Sequence, residues 1–210
     1  MAADESLFVS TIKNASSPVF RFYTWALSSI TIGYFQKYSD FTARPLPIVR
    51  RLTGGLLVEH GKDISYCFVA SRRDWPFVDD QEKNYEAIHF VISQALNDLN
   101  FKCSFISGSA GRSPDSLCVN NLFPHDLILQ GRKIVGSCQR KRGNTLLVQG
   151  SIHLHELSEN IAVFTDRFAA NFQKKHGFEL FNDRMNDSET ALAKELSATK
   201  YSHKEWNQKI

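Results

Sequence analysis

A helical stripe lies between two groups of strand-like segments, and this order limits the fold more than any other feature of the chain. Over residues 79–100 the apolar side chains Tyr85, Ile88, Ile92, Leu96 and Leu99 recur at intervals of three and four behind Asp79 and Asp80. That is the pattern of an amphipathic helix with acidic residues at its start. Before it, the segments 19–25, 29–35, 46–50 and 65–70 are short, rich in β-branched or aromatic residues and punctuated by Pro18, Gly33, Pro45 and Gly61. They read as a sheet. After it, strand signals return at 102–106, 126–130, 133–138 and 146–152, with turns at 130–132 and 141–144, in the manner of a meander. A second stripe of Leu157, Ile161, Phe164, Phe168 and Phe172, with Gly177 as its C-cap, predicts a helix that packs on the sheet. Strands, helix, strands, helix is an α+β order, not the strict alternation of a doubly wound parallel sheet.

The 210 residues suit a single domain, and no repeat or Gly, Ser or Pro-rich linker divides them. A hydrophobic share of 42% and a charged share of 22% exclude a disordered or collagen-like chain. The net charge of +3 is too small to point to nucleic acid. No apolar run approaches the roughly 20 residues of a membrane span. The acidic start, Asp4 and Glu5, is unlike a signal peptide, so the expectation is a cytoplasmic protein that works on no membrane. Cys67, Cys103, Cys118 and Cys138 lack the spacing of a zinc site or a disulfide framework, and are expected to be reduced thiols.

Two segments carry chemistry. In Arg50-Arg51-Leu52-Thr53-Gly54-Gly55, two basic side chains precede a turn whose missing side chains let backbone N–H groups approach an anion. The other reading is an ordinary turn ending a strand. His60 follows without a second metal ligand at suitable spacing, so polar packing is expected there rather than metal binding. In 126–139, Lys133 opens a strand ending at Gly136-Ser137. Its ammonium either stabilises charge during acyl transfer or stands solvated at a hairpin shoulder, and Asp126 shares that ambiguity.

Taken in order, these segments resemble the lipoate-protein ligase and octanoyltransferase family. The motifs are Ala3-Asp4-Glu5-Ser6-Leu7, Thr31-Ile32-Gly33-Tyr34-Phe35-Gln36, the stretch from Val49 through Arg50, Arg51, Thr53, Gly54 and Gly55 to His60, and that from Asp126 through Gly131, Lys133 and Gly136 to Ser137. Gly150-Ser151-Ile152 and the closing Tyr201, Trp206 and Asn207 complete the likeness, which spans nearly the whole chain. Biotin-protein ligases share the fold, but their Gly-Arg-Gly-Arg loop is absent here.

The resemblance implies a mixed, largely antiparallel sheet flanked by helices, of the class II synthetase and biotin ligase type. It implies one catalytic domain over residues 1–210, without the strand that usually precedes the first-helix motif and without the accessory C-terminal domain of many ligases. The acyl chain would lie in a tunnel between the Gly-Gly loop and the Lys133 strand. Lys133 would bind the activated carbonyl. Arg50, Arg51, Thr53, Gly54, Gly55, His60, Asp126, Gly136 and Ser137 would form the substrate or adenylate site. The acceptor would be a lysine on a lipoyl domain of a 2-oxoacid dehydrogenase subunit or of the glycine-cleavage carrier protein.

The leading expectation is ATP-dependent attachment of lipoate, with ATP and magnesium joining lipoate or octanoate as reactants. One alternative is a cysteine-dependent octanoyltransferase fed by acyl carrier protein. Cys118, eight residues before Asp126, stands where the nucleophile of single-domain octanoyltransferases stands, although Val119 replaces the phenylalanine that follows it there. Another is a non-catalytic protein that binds lipoyl domains. Four positions depart from the ligase pattern: Leu56 for glycine, His125 for asparagine, Cys138 for alanine and Gln149 for histidine.

Overall fold

The computed structural model describes residues 1–14, 17–106 and 117–209. Helix α1 (Ala2–Asn14) opens the chain, with Asp4 and Glu5 in its first turn and Lys13 in its last, as the helix dipole favours. Strands β1 (Val19–Tyr23), β2 (Ser29–Ile32), β3 (Ile48–Arg50), β4 (Val58–His60) and β5 (Ile64–Ser71) follow, then helix α2 (Gln81–Asp98). Next come β6 (Ser104–Phe105), β7 (Leu127–Leu129), β8 (Arg132–Arg142) and β9 (Thr145–Ile152). The chain closes with α3 (His155–Ser158), α4 (Ile161–His176), α5 (Asp187–Leu196), a π-helical turn at Ser197–Tyr201 and α6 (Lys204–Asn207).

The strands before α2 do not share one sheet, contrary to the sequence expectation. An antiparallel sheet runs β1-β5-β9-β8-β7-β6, whereas β3-β2-β4 form a smaller sheet in which β2 and β3 are parallel. The chain leaves the large sheet after Tyr23, makes the small one, and returns at Ile64. That detour carries the whole Arg-Arg/Gly-Gly segment to the sheet's face.

Period-two alternation explains how the large sheet is covered. On β5, Ile64, Tyr66, Phe68 and Ala70 join one core cluster, while Cys67 and Val69 join another. The first face meets α2 and α4, whose Phe164, Phe168 and Phe172 are buried as their spacing predicts. Gly177 ends α4 in the left-handed conformation with φ of 74°. The second face meets Leu7 and Phe8 of α1 and Leu52 of the Arg-Arg/Gly-Gly segment. Helix α5, unforeseen, starts at a capping box in which Asn186 and Glu189 exchange side-chain and backbone hydrogen bonds. It packs on α1, where Ser6 donates to the Glu189 carbonyl at 2.7 Å.

Candidate active site

The two arginines that open the Gly-Gly segment do different work. Arg50 is fully buried, and its guanidinium donates to the carbonyls of Gly33, Tyr34, Gln36 and Asn207 at 2.7–3.1 Å. It ties the loop after β2 to α6. Arg51 donates to Thr31 on one side and to the carbonyls of Gly54 and Leu56 on the other, so it braces the loop from within.

Gly55 has φ of 84°, and a Cβ there would lie 2.1 Å from Cys138 Sγ on β8. Backbone conformation and the close approach of loop to sheet both require glycine here. Gly54 meets nothing within 4 Å and faces open space. Thr53 donates to Gln149 Oε1 at 3.0 Å, and Gln149 Nε2 donates to buried Asp4 at 2.7 Å. Arg21 and Tyr23 also donate to Asp4. Gln149, a departure from the ligase pattern, thus links the loop to α1.

Lys133 is buried, not solvated at a shoulder. Its Nζ lies 2.7 Å from Asp126 Oδ2, 2.9 Å from the Asn121 carbonyl and 3.5 Å from Cys118 Sγ, which accounts for all three of its N–H bonds. Gly136 makes this possible, because a Cβ there would stand 2.6 Å from Lys133 Cε. The Gly-x-Lys-x-x-Gly spacing is therefore a turn, a buried ammonium and the gap it folds across. Cys118 begins a short 3₁₀ turn, held to the Gly-Gly segment where its N–H donates to the Leu57 carbonyl at 2.9 Å. Burial raises the Asp126 pKa, opposed by Lys133 and by the Phe123 N–H.

His60 has Nδ1 2.8 Å from Asp63 and Nε2 2.9 Å from Thr31 Oγ1, with Trp25 stacked on its ring. Asp63 was not anticipated, although it lies only three residues away. Burial works to raise its pKa, but hydrogen bonds from His60, Ser151 and the Gly61 N–H outweigh that and hold it well below the usual carboxylate range.

Arg51, His60, Cys118, Lys133, Gly136 and Ser137 line one narrow cavity of about 40 Å³. Gly54, Gly55 and Asp126 line a wider cleft of about 750 Å³ beside it, and the two spaces share Ser137 and Cys138. Sequence reasoning missed His89 of α2 and Tyr66 of β5, which meet at Ser137. Only the buried polar positions in otherwise apolar stretches marked them. Asp63 and Asp126 are both engaged with the protein, and among the described residues no cluster of three or more His, Cys, Asp or Glu side chains is placed to hold a metal ion.

Residues 1–204 match the family model of the lipoyl protein ligase A/B catalytic domain. The octanoyltransferase LipM of Carboxydothermus hydrogenoformans is 25% identical, with 98% of this chain and 92% of the relative aligned. That of Moorella thermoacetica is 33% identical over 73% of this chain and 60% of its own length. A lipoate-protein ligase A bound with ATP superposes with a TM-score of 0.78 at 21% identity, covering 99% of this chain and 92% of the other. The bipartite lipoate protein ligase of Thermoplasma acidophilum, solved with its E2 lipoyl domain, gives 0.73 at 20%, covering 99% and 89%. These likenesses support the fold of the large antiparallel sheet and its helices.

Proposed function

Because the chain belongs to the lipoyl protein ligase A/B family and is an enzyme of that family, we propose that it carries an octanoyl or lipoyl group on Cys118 and passes it to the acceptor lysine of a lipoyl domain. The observation that carries this reading is the thiol of Cys118 at 3.5 Å from the buried ammonium of Lys133, both lining one cavity. The LipM relatives support it, and it reverses the order expected from the sequence, in which ATP-dependent ligation stood first.

The chemistry runs in two transfers. The Cys118 sulfur attacks the carbonyl of a carrier-bound thioester, a C–S bond forms, the C–S bond to the carrier breaks, and the carrier sulfur leaves as a thiol with the proton that Cys118 gives up. The neutral lysine amine then attacks the acyl-cysteine, a C–N bond forms, and the electron pair of the broken C–S bond returns to Cys118, which takes up the proton shed by nitrogen. The Lys133 ammonium faces sulfur and carbonyl oxygen in both steps, where fixed positive charge stabilises developing negative charge. Asp126 holds that ammonium in place, Gly136 makes room for it, and Arg51, Thr53, Gly54 and Gly55 hold the loop that closes the cavity. The donor is an acyl carrier protein, and the acceptor is a lipoyl domain of a 2-oxoacid dehydrogenase subunit or of the glycine-cleavage carrier protein.

Incubation with octanoyl-carrier protein without ATP tests this. Intact mass should show one octanoyl adduct, released by hydroxylamine and absent from Cys118→Ser. Normal modification of a lipoyl domain by Cys118→Ser with lipoate and ATP would return the ligase reading to first place.

A further inference from the structure

Ser137 is where the narrow cavity and the wide cleft meet, and its hydroxyl is held from behind. His89 Nδ1 lies 2.6 Å from the His125 carbonyl, an oxygen that can only accept, so Nδ1 carries the proton and Nε2 is the acceptor. Burial lowers the His89 pKa to about 4, which keeps the ring neutral in neutral solution. Two hydroxyls reach Nε2: Ser137 Oγ at 2.7 Å and Tyr66 at 3.1 Å. The shorter contact assigns the Ser137 proton to His89, and Tyr66 then donates to Ser137 Oγ. Among the described residues this leaves one lone pair of Ser137 over. Tyr66 keeps this position because Gly150 leaves room for its ring, where a Cβ would stand 2.3 Å from Cζ.

An attacking amine must aim its lone pair at the acyl carbon and place its N–H bonds elsewhere. The nearby cations have no capacity to receive one, since Lys133 and Arg51 are donors. We propose that Ser137 accepts an N–H bond of the incoming lysine amine, and that Tyr66 and His89 are positioning residues that keep its oxygen turned towards that amine. This rests on the reading that Cys118 carries the acyl group. In the step, the C–N bond forms, the thioester C–S bond breaks, and the proton shed by nitrogen neutralises the released sulfur. The Ser137 proton stays on its bond to His89 throughout.

The test separates two ways of discharging the octanoyl protein: aminolysis by a lipoyl domain and thiolysis by dithiothreitol, which brings no N–H to be placed. Ser137→Ala should slow aminolysis about tenfold, the rate equivalent of one hydrogen bond made in the transition state, while thiolysis stays within about twofold. Ser137→Thr, which keeps the hydroxyl, should restore aminolysis. Tyr66→Phe should shift the same ratio in the same direction by a smaller factor. Unchanged aminolysis in Ser137→Ala, or equal losses in both reactions, would overturn the role of Ser137, and an unshifted ratio in Tyr66→Phe would overturn that of the pair behind it. Absence of any acyl adduct on wild-type Cys118 overturns the nucleophile reading itself and this inference with it.

Discussion

Two buried carboxylates stand behind the narrow cavity and are treated in opposite ways. Asp63 receives His60 at 2.8 Å, Ser151 at 2.5 Å, Ser65 at 3.0 Å and the Gly61 N–H at 3.0 Å. Among the described residues Asp126 receives Lys133 and the Phe123 N–H, and burial prevails over both. The first centre is closed on itself and holds β4, β5 and β9 together. The second is short of donors, and its ammonium is divided among a carboxylate, a carbonyl and a thiol. Complete satisfaction marks scaffold, whereas a charge held beside a thiol marks the place where chemistry can occur.

The largest expected effect lies at the second centre. Lys133→Met should lower acyl transfer by about 10²–10³, the cost of losing such a stabilising charge. It should also cost about 3–5 kcal/mol of stability, because a buried carboxylate loses its partner. Adding Asp126→Asn removes that stranded charge, so a denaturant titration should recover much of the stability while activity stays lost. Recovery of activity together with stability would make Lys133 a structural residue and erase the contrast.

The first centre should answer to pH instead. Asp63→Asn should cost about 1–3 kcal/mol at neutral pH through lost charge-assisted hydrogen bonds, with a smaller effect on transfer than Lys133→Met. The folded-state pKa of Asp63 is depressed, so its stabilisation is full above the unfolded value of about 3.9 and is lost as pH falls through the folded value. The difference in urea midpoint between wild type and variant should therefore shrink below about pH 4. A constant difference down to pH 3 would contradict this.

A smaller effect concerns the loop between the two centres. Gly55→Ala should cost about 1–2 kcal/mol, from positive φ and from contact with Cys138. In a Cys138→Ala background the contact part should vanish and the conformational part should remain, which a double-mutant cycle measures.

What the sequence disclosed was chiefly local. The stripes of α2 and α4, the C-cap at Gly177 and the hairpin around Gly131 depend on neighbours a few residues away, and spacing alone reveals them. The Arg50 anchor needs Gly33 and Asn207, the Gly55 contact needs Cys138, and the Ser137 cluster needs Tyr66 and His89. Such contacts are created by the detour between sheets, and no single segment encodes them. Lys133 was singled out from its own segment and Cys118 from the family resemblance, but their pairing is a property of the folded chain. Helix α5 was missed although its Asn186-x-x-Glu189 capping signal was present, because it follows irregular chain with no long apolar stripe.

The most direct test of the account follows one acyl group between two chains. Octanoyl protein is freed of donor and mixed, without ATP, with an unmodified lipoyl domain, and both masses are read over time. The octanoyl group should leave Cys118 and arrive on the acceptor lysine at a rate no slower than steady-state turnover. Persistence of the adduct, while the same preparation modifies the domain from free lipoate and ATP, would contradict the central claim.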